Sequence, residues 1–271
     1  MTSPLKAVIL DWAGTVVDFG SIAPVMAMRA AFEAENVPVT DEEIRAHMGR
    51  AKRDHVASIL KFARVRETWT TVHGSAPTSA DGDRIHDALE PLMFASAATC
   101  ADLVPGTAEV AHDLRARGIR IGSTTGYTRT MMQAILPRAA AQGYAPDVVI
   151  CAGETIEGRP SPLMLWKALV DLGVWPARAC VKVDDAEVGM SEGREAGCWT
   201  AGISGSGNGV GLSKADFYSL TPYERTERTG AAGKALLAAG AHLLIETIAD
   251  LPEALGEIER RILAGETPNG N

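Results

Sequence analysis

Four groups of polar residues follow short apolar runs of this 271-residue sequence, and their types suit chemistry on an anion. They are Asp11, the stretch Thr124-Thr125-Gly126, Arg159 and the pair Asp184-Asp185. Aspartate oxygens bind hard cations such as Mg²⁺ and can act as nucleophiles, whereas threonine and arginine donate hydrogen bonds to anionic oxygens. A single aspartate at a strand end is often only a turn former. The four groups together predict an active site.

The apolar runs that precede these groups predict a parallel β-sheet. Strand-like runs occupy residues 6–11, 119–125, 147–152, 179–185 and 200–204, with a sixth candidate at 242–247. Helical stretches accompany the later runs, at residues 107–117, 129–142, 162–172, 187–196 and 252–263. This alternation is typical of an α/β fold with a Rossmann-like parallel sheet, in which ligands bind at the carboxyl ends of the strands. We therefore expect the four polar groups to meet at one edge of the sheet.

A long helical region interrupts the alternation between the first and second strands. Helical periodicity covers residues 21–35, 41–48, 51–65 and 84–96, and Thr40 with Glu43 forms a predicted capping box. The sequence therefore predicts an all-helical cap domain at residues 21–99, inserted into an α/β core domain made of residues 1–20 and 100–271.

Composition excludes several classes of function. The chain has 26 Lys and Arg against 34 Asp and Glu, a formal charge of -8, which disfavours nucleic acid and anionic membranes as partners. The amino terminus lacks a secretory pattern, and the apolar stretch 231–249 is interrupted by Lys234, His242 and Glu246, which disfavours a membrane span. The four cysteines are scattered without CxxC spacing, so neither a disulfide framework nor a zinc site is expected. We expect a cytoplasmic protein.

A glycine-rich stretch, GISGSGNGVGL at residues 202–212, follows the fifth predicted strand. It does not match the G-x-G-x-x-G spacing of a dinucleotide-binding turn. The sequence therefore predicts a flexible loop without a binding role.

The order of the polar groups resembles the haloacid dehalogenase superfamily, whose first motif is Asp-x-Asp-Gly-Thr. That motif here reads Asp11-Trp12-Ala13-Gly14-Thr15. The resemblance implies that Asp11 is the nucleophile and that Mg²⁺ is held by Asp11, the backbone carbonyl of Ala13 and Asp185. It also implies phosphate contacts from Thr125, Gly126 and Arg159.

Two departures from the superfamily pattern concern acids. Ala13 stands where most members have the acid that protonates a departing alkoxide, so either activity is changed or lost, or the leaving group is not an alkoxide. In the fourth motif, Gly189 stands where a further acid is common, and Asp184 stands where glycine is usual. Which of Asp184 and Asp185 contacts the metal stays open, and the register favours Asp185.

A lysine in the cap offers a different chemistry. In the stretch HMGRAKRDHV, Lys52 lies at the start of a predicted helix, where the helix dipole and the neighbours Arg50 and Arg53 would lower its pKa. A neutral lysine can attack a carbonyl and form an imine. The alternative is an ordinary solvated surface lysine.

The missing acid and the cap lysine together resemble the phosphonoacetaldehyde hydrolase family. The matching motifs are DWAGT, MGRAKRDHV, TGYTR, GRPSP, DDAEVGMSEGREAGCWT and GAHLLIET, spread over nearly the whole chain. The resemblance implies carbon–phosphorus bond hydrolysis to acetaldehyde and phosphate in 2-aminoethylphosphonate degradation, through a Lys52 imine and an aspartyl phosphate. It also implies a homodimer.

Three further residues are candidates for supporting roles around the predicted imine. His55 lies on the helical face of Lys52 and is expected to move protons. Met48, one turn before Lys52, is expected to shield the amine, and Tyr127 to orient the aldehyde. Each of the three also has a purely structural alternative in packing.

Other functions remain open at this stage. The main alternative is a Mg²⁺-dependent capped phosphatase or phosphomutase acting on a small phosphate ester, which would need another acid in place of Ala13. A haloacid dehalogenase proper would need neither Mg²⁺ nor Lys52. A catalytically silent binding protein would not need the four polar groups.

Overall fold

Six strands form one parallel sheet in the computed structural model, which describes residues 3–270 except the side chains at 97 and 98. The strands are β1 (Ala7–Leu10), β2 (Arg120–Thr125), β3 (Val148–Cys151), β4 (Cys180–Asp184), β5 (Trp199–Ile203) and β6 (Leu243–Ile245). Their order across the sheet is β3-β2-β1-β4-β5-β6, and every neighbouring pair is parallel. The predicted α/β fold, including the sixth strand, is confirmed.

The central position of β1 explains its composition. All four of its residues are buried, because helices cover both faces of a parallel sheet and such strands are apolar throughout. Leu10 lies opposite Ser123 of β2 on one side and Val183 of β4 on the other. Asp11, the next residue, therefore emerges between the ends of β2 and β4.

Six helices lie between β1 and β2. The first five occupy residues 22–100, all of which the structure assigns, and no strand lies among them. These five are α1 (Ile22–Ala34), α2 (Asp41–Arg45), α3 (Lys52–Ile59), α4 (Ala63–His73) and α5 (Ser79–Cys100). The predicted capping box is present: the Thr40 hydroxyl accepts from the Glu43 N–H, and the Glu43 carboxylate accepts from the Thr40 N–H. The region has the all-helical character expected of a cap.

Three predicted cap helices differ in extent from the structure. Helix α2 ends at Arg45 rather than at residue 48, and α5 covers Ser79–Cys100 rather than residues 84–96. The third difference is a break. The expected helix over residues 51–65 is broken, because Phe62 adopts an extended conformation and separates α3 from α4. The ring of Phe62 stacks on His47 at 5.4 Å between centroids and packs against the core. This contact between distant residues overrides the continuous helical pattern.

The remaining helices cover the sheet. They are α6 (Thr107–Ala116), α7 (Arg129–Ala141), α8 (Leu163–Asp171), α9 (Glu187–Glu195), α10 (Lys214–Ser219), α11 (Pro222–Ala238) and α12 (Leu251–Leu263). The apolar stretch 231–249 is divided between α11 and β6. Among the described residues, none of the helices combines the length and the apolar character that crossing a bilayer requires.

Candidate active site

The carboxyl ends of β1, β2 and β4 meet beneath the cap and open into one cavity. Its empty volume is about 320 Å³, part of it open to solvent. Nine of the ten residues to which the sequence analysis gives a catalytic, substrate-binding or metal-binding role line this cavity, and His55 does not. The nine are Asp11, Ala13, Met48, Lys52, Thr125, Gly126, Tyr127, Arg159 and Asp185. We call Asp11, Thr125, Gly126, Arg159 and Asp185 the sheet wall, and Met48, Gly49 and Lys52 the cap wall.

Three carboxylates crowd together at the sheet wall. Asp11, Asp184 and Asp185 are buried, and one ligand oxygen from each lies within 4.8 Å of the other two. Burial, followed by the charge of Asp184, raises the pKa of Asp11 to about 6. Burial and the charges of Asp11 and Asp184 raise the pKa of Asp185 well above its ordinary value. Such mutually repelling oxygens form a donor set that suits a hard divalent cation, which would favour their ionised forms.

Asp184 and Asp185 have different surroundings. Asp184 lies 2.9 Å from the Lys182 amine and 3.3 Å from the Arg159 guanidinium, and these cations outweigh its burial and lower its pKa. Asp185 instead accepts neutral hydrogen bonds from the Ser21 hydroxyl at 3.1 Å and the Asn208 N–H at 2.6 Å. Asp185 lines the cavity and Asp184 does not. This difference favours Asp185 as the ligand, in agreement with the register.

The space beside Asp184 accounts for Gly189. A Cβ atom added at Gly189 would lie 2.1 Å from the carboxyl carbon of Asp184. The Asp184 side chain therefore occupies the volume that any side chain at position 189 would need. A carboxylate from the end of β4 fills the place where the superfamily pattern puts one from the following helix.

Arg159 lines the cavity as part of the sheet wall and is otherwise surrounded by polar partners. Its guanidinium lies 2.9 Å from the Asp11 carboxylate and 3.0 Å from that of Glu192. Its Nη2 donates to the Thr124 carbonyl at 2.5 Å and to the Thr124 hydroxyl at 2.8 Å. The Nε and Nη1 contacts are ionic, since neither N–H makes an aligned hydrogen bond within the described residues. Arg159 is thus held beside the predicted nucleophile by fixed partners.

Two buried charged residues of this network, Lys182 and Glu192, were not predicted from the sequence. Lys182 is fully buried in β4, 2.9 Å from Asp184, 3.3 Å from Glu192 and 2.8 Å from the Thr124 hydroxyl. Glu192, fully buried on α9, accepts from the Thr124 hydroxyl at 2.9 Å. The sequence feature that could have predicted this network is a lysine in the middle of an apolar strand, because a buried charge needs partners of opposite charge or hydrogen-bonding groups.

On the cap wall, the buried amine of Lys52 lies beside an aromatic ring. Its Nζ lies 5.2 Å from the centroid of the Tyr127 ring, and the residue is 3% exposed. Burial lowers the pKa of Lys52 to about 8; Asp11 opposes this shift and Arg159 adds to it. The expected direction of the shift agrees with the structure, but the expected cause does not. Arg53 points outward to an ion pair with Asp83, and burial replaces the local arginines as the dominant effect.

The two walls touch at Gly126. A Cβ atom there would lie 2.7 Å from the carbonyl oxygen of Arg50 and 3.1 Å from that of Gly49. The glycine therefore lets the loop before α3 rest directly on the end of β2. This close approach brings Lys52 into the same cavity as Asp11.

His55 lies outside the cavity lining. Its Nε2 is 2.6 Å from the Ile44 carbonyl oxygen, and this contact assigns the proton of a neutral ring to Nε2. Burial, with the charge of Lys52, lowers the pKa of His55 to about 3. Its Nδ1 makes no hydrogen bond within the described residues. The expected proton transfer by His55 stays a prediction.

The chain is similar to hydrolases over nearly its whole length. Residues 5–197 match the model of the haloacid dehalogenase-like hydrolases. A phosphonoacetaldehyde hydrolase of Paraburkholderia xenovorans strain LB400 is 49% identical over 264 residues, 97% of this chain and 99% of the relative. One from Paraburkholderia phytofirmans strain DSM 17436 / LMG 22146 / PsJN is 48% identical, with the same coverage. A crystal structure of a phosphonoacetaldehyde hydrolase like protein from Oleispira antarctica superposes with a TM-score of 0.97 at 39% identity, covering 99% of this chain and 98% of that one.

Proposed function

The chain belongs to the haloacid dehalogenase-like hydrolases and, among them, to the phosphonoacetaldehyde hydrolases, and on this premise we propose its reaction and mechanism. The reaction is hydrolysis of the carbon–phosphorus bond of phosphonoacetaldehyde to acetaldehyde and phosphate, in 2-aminoethylphosphonate degradation. One observation carries the proposal. A buried amine with a lowered pKa and an aspartate at a strand end, Lys52 and Asp11, line one cavity small enough for a single small molecule to reach both.

The acids of the cavity argue against ester chemistry. Within the described part of the chain, the carboxylates lining it are Asp11 and Asp185, both in the proposed metal-binding set. Position 13 has only a methyl group. No carboxylic acid is left to protonate a departing alkoxide, whereas a carbon leaving group needs an electron acceptor rather than an oxygen acid.

The first step takes place at the cap wall. The neutral amine of Lys52 attacks the aldehyde carbon, one proton is taken up and one water leaves, and a protonated imine forms. The proton is released again when the imine is hydrolysed. A pKa of about 8 leaves a usable fraction of neutral amine near neutral pH. Tyr127 and Met48, which line the cavity beside Lys52, exclude water from the amine and orient the aldehyde. His55, behind Lys52, is the proposed proton carrier.

The second step takes place at the sheet wall. A carboxylate oxygen of Asp11 bonds to phosphorus while the carbon–phosphorus bond breaks. The electron pair of the broken bond moves into the protonated imine and gives an enamine. Water then hydrolyses the aspartyl phosphate. The enamine takes up a proton at carbon, and a second water releases acetaldehyde from Lys52. The water lost in imine formation leaves a net consumption of one.

The phosphoryl group of the substrate is bound by Thr125, Gly126 and Arg159 in this proposal. Mg²⁺ held by Asp11, the Ala13 carbonyl and Asp185 would neutralise charge on the phosphoryl oxygens while a carboxylate approaches phosphorus. The crowded carboxylates of the sheet wall support a divalent cation there. The ion pair of Arg159 with Asp11 at 2.9 Å also holds the Asp11 carboxylate in place.

The domain division, a homodimeric assembly and a cytoplasmic location are further proposals. The core comprises residues 1–20 and 100–271 and the cap residues 21–99; of these, residues 1, 2 and 271 lie outside the described residues. The run of helices α1 to α5 supports the cap boundary.

Borohydride trapping tests the proposed function. Borohydride added with phosphonoacetaldehyde is expected to reduce the imine to a stable adduct at Lys52, found by peptide mass spectrometry, with loss of activity. Lys52→Met should abolish the adduct, and Lys61→Met, which alters an exposed cap lysine, should leave it unchanged. An absent wild-type adduct together with turnover of small phosphate esters would establish a phosphatase or phosphomutase instead.

Removal of the metal tests the other half of the site. A chelator is expected to stop phosphate release reversibly, with Mg²⁺ restoring it, while adduct formation at Lys52 continues. Phosphate release that persists in the chelator would contradict the proposed role of the carboxylate cluster.

A further inference from the structure

The glycine-rich stretch after β5 is packed into the site rather than flexible, which corrects the expectation from the sequence. Ser206 and Asn208 are buried, and the Ser206 hydroxyl donates to the Gly14 carbonyl oxygen at 2.8 Å. A Cβ atom added at Gly207 would lie 2.2 Å from the Cβ of Asp185. The glycines let this loop approach the sheet wall more closely than side chains would allow.

Asn208 connects this loop to the sheet wall and to the cap. Its backbone N–H donates to Asp185 Oδ2 at 2.6 Å. Its side-chain Nδ2 donates to the Arg45 carbonyl oxygen at 3.1 Å, and its Oδ1 accepts from Arg45 Nη1 at 3.1 Å. One residue thus binds the predicted metal ligand through its backbone and a cap residue through its side chain.

Arg45 is the cap side of this connection. Its guanidinium donates to three oxygens of other segments: the Gly20 carbonyl at 2.9 Å, Asn208 Oδ1, and the Gly211 carbonyl at 3.2 Å. Gly211 has φ +67° and approaches the guanidinium so closely that an added Cβ would lie 2.7 Å from it. A planar guanidinium can serve three such acceptors, whereas an ammonium would serve them poorly.

Arg45 lies at the start of the loop that leads to Lys52, so its contacts with Asn208 also affect Lys52. Its carbonyl oxygen, which Asn208 binds, also accepts the N–H of Met48 at 3.1 Å. The cap-wall loop that leads to Lys52 therefore begins at a residue anchored to the loop that holds Asp185.

We propose that Arg45 and Asn208 are positioning residues that couple the placement of Lys52 to the orientation of Asp185. The placement of Lys52 and the orientation of Asp185 then depend on the same set of contacts. This inference rests on the proposed function. It adds a physical connection between imine formation at Lys52 and metal binding at Asp185.

A crossed experiment tests the coupling on the full chain. The first measurement is Mg²⁺ affinity by titration calorimetry, and the second is the rate of borohydride-trapped adduct formation at Lys52 with phosphonoacetaldehyde in chelator. Arg45→Met is expected to weaken Mg²⁺ binding about tenfold although Arg45 does not touch Asp185, since partners behind a metal ligand typically contribute that much. Asn208→Ala is expected to slow adduct formation about tenfold although Asn208 does not line the cavity.

The controls separate coupling from local damage and from failure of the proposed function. Arg64→Met removes a cap arginine whose partners, Glu43 and Pro38, lie within the cap, and it should change neither measurement. If each variant changes only the measurement on its own side, the coupling is refuted. If wild type forms no adduct, the proposed function fails, and the effect of Arg45→Met on Mg²⁺ affinity still decides the coupling. Arg45→Lys and Asn208→Ser replace any variant whose thermal unfolding differs from wild type.

Discussion

The sheet wall and the cap wall each have a buried lysine nearby, but the two lysines are held in opposite ways. Lys182, behind the sheet wall, has carboxylates at 2.9 and 3.3 Å and a hydroxyl at 2.8 Å. Lys52, on the cap wall, forms no ion pair with any residue that the structure describes, and burial lowers its pKa to about 8. Burial alone therefore does not determine what a lysine does. The partners of a buried lysine decide whether it serves as an ion-pair partner or as a nucleophile.

Charge balance extends this contrast to the whole site. Behind and within the sheet wall, four buried carboxylates face the two cations Arg159 and Lys182, which leaves two negative charges. The carboxylates are Asp11, Asp184, Asp185 and Glu192. One divalent cation would balance that excess without any contribution from Lys52. The cap lysine is thus free to be neutral, as imine formation requires.

Replacing the nucleophile should have the largest effect, because it should stop the chemistry at the sheet wall and leave imine formation at the cap wall. Asp11→Asn is expected to lower phosphate release by on the order of 10⁴-fold or more, because Asp11 supplies the oxygen that bonds to phosphorus. Trapping at Lys52 should persist, because imine formation needs only the cap wall. Phosphate release and adduct yield, measured on one preparation with circular dichroism as the folding control, check this. Loss of both would mean that the two chemistries are not separable.

Removing the paired lysine, Lys182, should lower the stability of the protein. Lys182→Met is expected to lower the free energy of unfolding by about 3–5 kcal/mol, because Asp184 and Glu192 lose a buried partner. Lys167→Met breaks an exposed pair with Asp171 and should cost under about 1 kcal/mol. Denaturant unfolding measures both. Adding Glu192→Leu to Lys182→Met should cost less than the two single losses together, and strict additivity would show that the charges are not coupled.

The pH dependence of imine formation should identify the unpaired lysine. With its pKa lowered from 10.5 to about 8, Lys52 is neutral above that pH, so trapping should rise about tenfold per pH unit below pH 8 and level off above it. Initial rates with excess cyanoborohydride, corrected with free lysine as the reference amine, give the profile. A rate that continues to rise towards pH 10.5 would mean an ordinary solvated amine.

The smallest effect concerns the packing that places Asp184. Gly189→Ala is expected to destabilise by about 1–3 kcal/mol, because its Cβ would enter the volume of the Asp184 carboxyl group. Gly230→Ala, in the interior of α11 with no neighbour within 4 Å, should stabilise by about 0.5–1 kcal/mol. Thermal unfolding compares the two. Equal effects at both positions would remove the steric explanation for Gly189.

Local pattern was enough to find the strands and most of the helices. All six strand predictions are confirmed, because most of the strands are short buried runs, rich in apolar residues, that end at polar or turn residues. The prediction of one continuous helix over residues 51–65 is wrong, because the break at Phe62 depends on stacking with His47, which lies fifteen positions away in the chain. The glycine-rich stretch was misjudged for a similar reason. Glycines that permit close packing and glycines that permit flexibility look alike in a sequence.

The sequence by itself determined which groups arrive at the carboxyl edge of the sheet, because parallel strands carry whatever follows them to the same edge. It also determined that position 13 has no acid and that a lysine stands at the start of a cap helix. Only the tertiary structure decided the state of these groups. The lowered pKa of Lys52, the ion pairs of Lys182 and the link from Arg45 through Asn208 to Asp185 all arise from contacts between distant segments. Burial and ionic interaction depend on what surrounds a group in space, and neighbours along the chain supply only part of that environment.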